Sequence, residues 1–244
     1  MTGFEDPQFY GDRWAAVYDE LHLDLDPEPA ARLLVELAGR APALELGIGT
    51  GRVALVLADR GVDVAGVDAS AAIVAKLRAK PGGDRIPVSI GDLVDTPATG
   101  RFGLVYLVFN TLFCLLDEAK QAACFAHVAT LLADGGRFVL ECFVPDPARF
   151  DRGQRPHVLA VSEDSVSVEL SRHDPVAQRI TTQILTIDAD GIRLGPLALR
   201  YSWPDELDRM AERAGLRLEH RYGDWDRRPF EAASAKHVSV YRLA

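Results

Sequence analysis

The segment Ala43-Leu-Glu-Leu-Gly47-Ile-Gly49-Thr-Gly51 restricts the fold more than any other part of the chain. A short apolar run leads into three glycines at alternate positions, and a helical pattern follows over Thr50–Arg60. Glycine reaches positive φ without strain and lets a ligand approach the backbone closely. A strand that ends in such a loop and opens a helix also offers free N–H groups to a polar ligand. The alternation then continues. Val62–Val67 reads as a buried strand, and Ser70 caps a helix to about Lys80 with Ile73, Val74 and Leu77 inward. Pro87–Ile90 and Leu104–Phe109 read as strands. Asp117 caps a long helix that Gly135–Gly136 ends, and Arg137–Phe143 is the next strand. Upstream, Asp26, Pro27 and Gly39 bracket a further helix. Apolar strands separated by helices predict a mostly parallel sheet covered on both faces.

The pattern changes after Pro145. Val158–Leu170, Arg179–Ile187 and Ile192–Tyr201 alternate partially and are rich in β-branched residues, with turn signals at Asp174-Pro175 and Asp190-Gly191. They predict an antiparallel β insertion. A helix over Pro204–Ala214 and strands over Leu216–Tyr222 and His237–Leu243 complete the pattern. The expected organisation is therefore an N-terminal cap and Rossmann-like core over 1–150, a β lid over 151–201, and completion of the core sheet over 202–244. Residues 1–26 read as irregular and aromatic-rich.

The 244 residues carry a net charge of −9. That balance disfavours nucleic acid as a partner, because phosphate contacts need clustered Lys and Arg. A small-molecule substrate fits better. Without a long apolar run or a basic, apolar leader, neither a membrane span nor a signal peptide is expected. The three cysteines form no CxxC pair, so a cytoplasmic setting without zinc or disulfides is the expectation, and no metal is expected. A homodimer is compatible with the sequence.

Three acids stand at the ends of three successive strands: Glu45 inside the glycine loop, Asp68 in Gly-Val-Asp-Ala-Ser, and Asp92 in Gly-Asp-Leu. The spacing E-x-G-x-G-x-G differs from the G-x-G-x-x-G of dinucleotide sites. A pyrophosphate would be repelled by Glu45, whereas a cationic amine or sulfonium would be attracted. Asp68 is placed to accept from ribose hydroxyls, and acids along one rim of an open sheet fit the rule for ligand sites in α/β folds. Asp92 is placed to accept from an adenine amine, beside the backbone of Leu93.

In these motifs the chain resembles the class I S-adenosylmethionine-dependent methyltransferases. The resemblance covers about 26–143 and resumes at 203–243, where a helix and two strands match an ending with an antiparallel last strand. It implies a Rossmann-like seven-stranded, mostly parallel α/β sheet and S-adenosylmethionine as cofactor. It also implies methyl transfer to a small-molecule N, O or C nucleophile. Glu45, Gly47, Gly49 and Gly51 would hold the methionine end, Asp68 and Ala69 the ribose, and Asp92 and Leu93 the adenine. Tyr18 resembles an N-terminal tyrosine that some members fold over the cofactor, and Phe109 would also touch it. The insertion resembles the β-rich lid of small-molecule methyltransferases.

The acceptor is expected beyond the strand ends, among Asn110, Phe113, Phe143, Tyr201 and Trp225. Methyl transfer is an in-line displacement that asks the protein mainly for positioning, so no catalytic residue is assigned. His22 and His220 have no acid partner fixed by sequence, His127 falls in a helix, His157 and His173 in the expected lid and His237 at the start of the last strand, and any one of them could serve as a base. Cys114 stands where some amino-sugar relatives carry a histidine, and it reads as a small apolar filler. Two alternatives remain. One is a protein of the same fold that binds the cofactor without methyl transfer, as scaffold, sensor or cyclase. The other is a nicotinamide-dependent dehydrogenase, which Glu45 and the antiparallel ending disfavour.

Overall fold

A computed structural model describes residues 3–21 and 25–244. Two short helices, α1 (Phe9–Trp14) and α2 (Tyr18–Leu21), lie where the sequence reads as irregular. Helices this short are not stable alone. Tertiary contacts hold them: Ser70 Oγ donates to Asp12, Thr50 Oγ1 donates to Asp19, and the Lys80 ammonium pairs with Asp19 at 2.8 Å. His22 falls outside the described residues.

The core follows the predicted alternation. Helix α3 (Glu28–Ala38) begins after Asp26, whose carboxylate accepts from the Glu28 N–H, and stops at Gly39 with φ 59°. Then come β1 (Ala43–Leu46), α4 (Ala54–Asp59), β2 (Val64–Asp68), α5 (Ala71–Arg78), β3 (Val88–Ile90) and β4 (Phe102–Leu107). They are followed by α6 (Glu118–Leu131) and β5 (Leu132–Phe143). Ser70 and Asp117 are N-caps whose side chains accept from the first-turn N–H groups. Helix α4 starts four residues later than Thr50, because the glycine loop occupies the chain through Gly51.

The sheet order is β10-β11-β5-β4-β1-β2-β3, where β10 is Leu216–Tyr222 and β11 is Lys236–Leu243. β1 to β5 pair in parallel, and β11 runs antiparallel to both of its neighbours. Leu44, Leu104, Val105, Tyr106 and Phe138 are fully buried, as expected of strands covered on both faces.

The insertion forms a separate antiparallel sheet ordered β6-β7-β8-β9. Its strands are β6 (Gln154–Val161), β7 (Val166–Asp174), β8 (Arg179–Asp188) and β9 (Gly191–Arg200). The stretch expected as one strand over Val158–Leu170 is two strands joined by a turn at 162–165. Ser162 and Ser165 close that turn through side-chain and backbone hydrogen bonds, so it contains neither Gly nor Pro to announce it. The Arg200 guanidinium fastens the inserted sheet to α6 by bonding Gln121 at 3.1 Å and Glu118 at 3.1 Å. Helix α7 (Pro204–Arg213) then leads into β10.

Candidate active site

A cavity of about 650 Å³ opens at the carboxyl ends of β1, β2 and β4. Gly47, Gly49, Asp68, Ala69, Asp92, Leu93, Phe109 and Asn110 all line it. A small recess beside it shares Tyr18, Gly47, Gly49 and Phe109, and adds Glu45 and Arg52.

The glycine loop turns back on the end of β2. Gly47 and Gly49 have φ 71° and 56°, and a Cβ on Gly47 would lie 2.5 Å from Thr111 Cγ2. The Gly49 N–H donates to Asp68 at 2.9 Å, and the Ser70 N–H donates to its other oxygen at 3.0 Å. Burial raises the Asp68 pKa against these bonds. Each carboxylate oxygen has a second lone pair, so Asp68 can still accept from a ligand's hydroxyls. Asp92 accepts from the Val94 N–H at 3.3 Å.

Glu45 is buried in the sheet, and the Tyr106 hydroxyl donates to it at 3.0 Å. Burial pushes its carboxyl up to about 8, against the Tyr106 bond and the Arg52 charge, which hold it down. In the absence of a ligand cation Glu45 is therefore largely protonated at neutral pH.

The turn after β4 is strained. Phe109 and Asn110 are consecutive non-glycine residues with φ 54° and 65°. Both are clamped by β5. The Phe109 N–H donates to the Glu141 carboxylate at 2.8 Å, and Asn110 Oδ1 accepts from the Phe143 N–H at 2.7 Å. Lys236 pairs with both Glu141 and Asp224 behind this turn. The Arg52 guanidinium sits 5.7 Å from the centre of the Phe109 ring.

Several expected site residues lie elsewhere. Gly51 does not line the cavity. It closes the loop by donating to the Ile48 carbonyl, and its α-carbon faces Leu77. Phe113 and Phe143 meet edge to face at 5.0 Å and pack with the core, with Phe113 fully buried. Tyr201 is also a core residue, and its hydroxyl pairs with His173 at 2.9 Å. Trp225 packs among Tyr106, Val238 and Val240. Of the five residues expected to surround the acceptor, Asn110 alone is on the cavity wall. Aromatic side chains near strand ends turned inward, where their large apolar area is removed from water.

The wall they were expected to form comes from two other segments. One is the N-terminal part, with Phe4, Phe9, Tyr10, Trp14 and Tyr18. The other is the inserted sheet, with Ile184 and Pro196 to Leu199. The Trp14 Nε1–H donates to the Pro196 carbonyl at 3.0 Å, joining the two. Tyr10 meets Tyr18 edge to face at 6.4 Å. The sequence did carry a signal for these residues: Tyr10, Trp14 and Tyr18 recur every fourth position.

Burial pushes the Tyr18 phenol and the Cys114 thiol each up to about 12, and Tyr10 lies well above its usual value. None of the histidines among the described residues lines the cavity. His237 is buried in β11, with Nδ1 paired to Ser239, and burial lowers its pKa to about 3. His157 is exposed on β6, and His220 stacks on Tyr222.

The donor set matches an S-adenosyl cofactor. Acids stand at the ends of three adjacent strands, each able to meet a hydroxyl, an amine or a cation, and the glycine loop offers close backbone approach. A family model described as a methyltransferase domain matches residues 43–136. The CcbJ methyltransferase from Streptomyces caelestis is 42% identical, with a TM-score of 0.92 over 98% of this chain and 99% of that one. A cypemycin N-terminal methyltransferase from Streptomyces sp is 26% identical over 96% of this chain and 98% of its own. The S-adenosylmethionine-bound structure of CalS10, an amino pentose methyltransferase from Micromonospora echinaspora, is 25% identical with a TM-score of 0.62, covering 95% and 91% of the two chains. The glycine loop with its acids, the antiparallel last strand and these likenesses have one common reading: the chain belongs to the class I S-adenosylmethionine-dependent methyltransferases.

Proposed function

We propose that the chain methylates an amine nitrogen on a small, largely apolar natural-product scaffold. The carrying observation is which side chains line the cavity. Its thiol and phenols hold their protons well above neutral pH, no histidine of the described residues reaches it, and its acids, Glu5, Asp6 and Asp117 among them, suit a basic amine better than a neutral alcohol. An alcohol or a carbon acid needs a base before or during attack. A neutral amine brings its own lone pair and sheds its proton afterwards. The names of two relatives support this reading: one is a cypemycin N-terminal methyltransferase and the other an amino pentose methyltransferase.

The bound cofactor supplies an electrophilic methyl group on a sulfonium. The chain's residues would do the rest by position. We assign the methionine end to the glycine loop and Glu45, the ribose to Asp68 and Ala69, and the adenine to Asp92 and Leu93. Phe109 and Asn110, fixed by β5, border the reacting centre. Tyr10, Trp14 and Tyr18 close over it and exclude water, which strengthens every charge interaction inside. Residues 151–201 act as the lid over the acceptor, with Ile184 and Leu197 to Leu199 as its apolar contacts.

The test uses matched acceptors that share one apolar scaffold and differ in carrying an amine, a hydroxyl or an enolisable carbon. Incubation with methyl-labelled S-adenosylmethionine is expected to label the amine alone, and its kcat/KM should rise with pH until the amine is fully neutral. Equal labelling of the alcohol would overturn the nitrogen assignment. A cofactor that binds while no acceptor is labelled would favour a scaffold or sensor.

A further inference from the structure

Among the described residues, the cavity wall carries two cations, Lys120 and Arg179. Lys120 lies in the first turn of α6, and Arg179 begins β8. The segment that leads into α6 brings them to one part of the wall. There the Leu116 carbonyl accepts from Arg179 Nε at 3.1 Å and from Arg179 Nη2 at 2.6 Å.

That carbonyl fixes the guanidinium without neutralising it. Arg137, Arg200 and Arg221 are each paired with an acid. Neither Arg179 nor Lys120 forms an ion pair among the described residues. Asp117, next to Leu116, directs Oδ1 to the Ala119 and Lys120 N–H groups as the cap of α6. A guanidinium has five N–H groups. Leu116 takes the Nε–Nη2 edge of Arg179, so the Nη1–Nη2 edge is left for a ligand. That edge is the fork that meets a carboxylate through two parallel bonds. Lys120 gains nothing from its place in the helix, because a cation in the first turn opposes the helix dipole. Its charge is free to serve the cavity.

We propose that Arg179 and Lys120 bind a carboxylate of the acceptor, so that the substrate is an apolar amino acid with its reacting amine and its carboxylate held apart. This rests on the amine reading of the site. The other charges support it. Glu5 and Asp6 bring negative charge from the N-terminal segment, while the two cations come from α6 and β8. Both charges of a zwitterion then meet partners inside one cavity. A phosphate would set a second negative charge beside Asp117, which a carboxylate does not. The cofactor's own carboxylate belongs with its methionine end at the glycine loop, where Arg52 shares a recess with Glu45.

Isothermal titration on the full chain, saturated with S-adenosylhomocysteine, tests this without methyl transfer. The probes are phenylalanine, β-homophenylalanine and para-aminomethylphenylacetic acid, each beside its carboxamide. At least one acid should bind about tenfold or more tightly than its amide, the scale of a charge-assisted bond. Arg179→Gln should abolish that preference and Arg179→Lys should keep part of it. Lys120→Gln should reduce it about threefold, as for an exposed ion pair. Affinity for S-adenosylmethionine should stay unchanged in all three. A merely structural role for Arg179 would weaken acid and amide alike. If Arg179→Gln misfolds, Lys120→Gln carries the test, because that side chain is exposed on α6. Acids that bind no better than their amides would overturn the proposal. So would a preference that survives these changes, or a loss of cofactor affinity in Arg179→Gln. The amine reading fails separately: if hydroxy acids are methylated as readily as amino acids, the acceptor atom is wrong and the carboxylate site stands.

Discussion

The two ends of the cavity are built differently. At the end assigned to the cofactor, Gly47, Gly49, Asp68 and Asp92 sit at or just beyond the ends of adjacent parallel strands, and the hydrogen bonds to Asp68 join residues 19 and 2 positions apart. At the end assigned to the acceptor, the wall comes from α1 and β9, joined by a bond between residues 182 positions apart. The first kind of site is written in one continuous stretch of sequence. The second exists only where the inserted sheet meets the N-terminal helices.

The sharpest way to break this comparison is Phe113. Its sequence position suggests an acceptor contact, while its side chain is fully buried against Phe143. Phe113→Ala should cost about 3–5 kcal/mol of stability in urea unfolding, as expected for a large aromatic removed from a close-packed core. The folded fraction should keep its acceptor KM. A stable variant with a raised KM would return Phe113 to the wall.

Glu45 tests the cofactor end. Its folded pKa of about 8 lies above the ordinary value of 4.5, so the folded chain holds the proton more tightly than the unfolded one. The resulting stability is fully present below pH 4.5 and is lost as pH rises to about 8. Glu45→Gln stays neutral throughout, so at pH 8.5 it should be more stable than the wild type by on the order of 5 kcal/mol, with little difference near pH 4.5. It should also bind the cofactor more weakly, having lost the negative charge that meets a cation. Parallel stability curves for the two proteins would remove Glu45 as a buried titrating group.

Asp68→Ala should weaken cofactor binding by about 1.5–3 kcal/mol, the scale of a charge-assisted hydrogen bond, measured by isothermal titration. An unchanged dissociation constant would take Asp68 out of the site.

The same contrast explains what was legible in the sequence. Ser70 and Asp117 announced their helices because a cap is a local hydrogen bond. The succession of strands and helices along the chain followed from apolar runs and turn residues, and the antiparallel ending from the family resemblance. The turn at 162–165 was missed because serine side chains make it, and α1 and α2 because packing rather than propensity holds them. Phe143, Tyr201 and Trp225 were misplaced for a related reason: period and composition mark a residue as apolar, but not which of two apolar spaces it fills. Trp225 went to the core cluster that also holds Tyr106, and Trp14, 211 positions earlier in number, took a place on the wall.

Trp14 gives the smallest expected effect and the finest discrimination between the two ends. Trp14→Phe keeps an aromatic ring against Gly195 and removes only the donor to the Pro196 carbonyl. One neutral hydrogen bond contributes about 0.5–1.5 kcal/mol. If α1 and the lid together form the acceptor wall, the loss should appear as an acceptor KM raised roughly threefold to tenfold, with cofactor affinity and kcat nearly unchanged. A change in cofactor affinity with acceptor KM intact would mean that α1 serves the cofactor end, and the division between the two ends would have to be redrawn through Trp14.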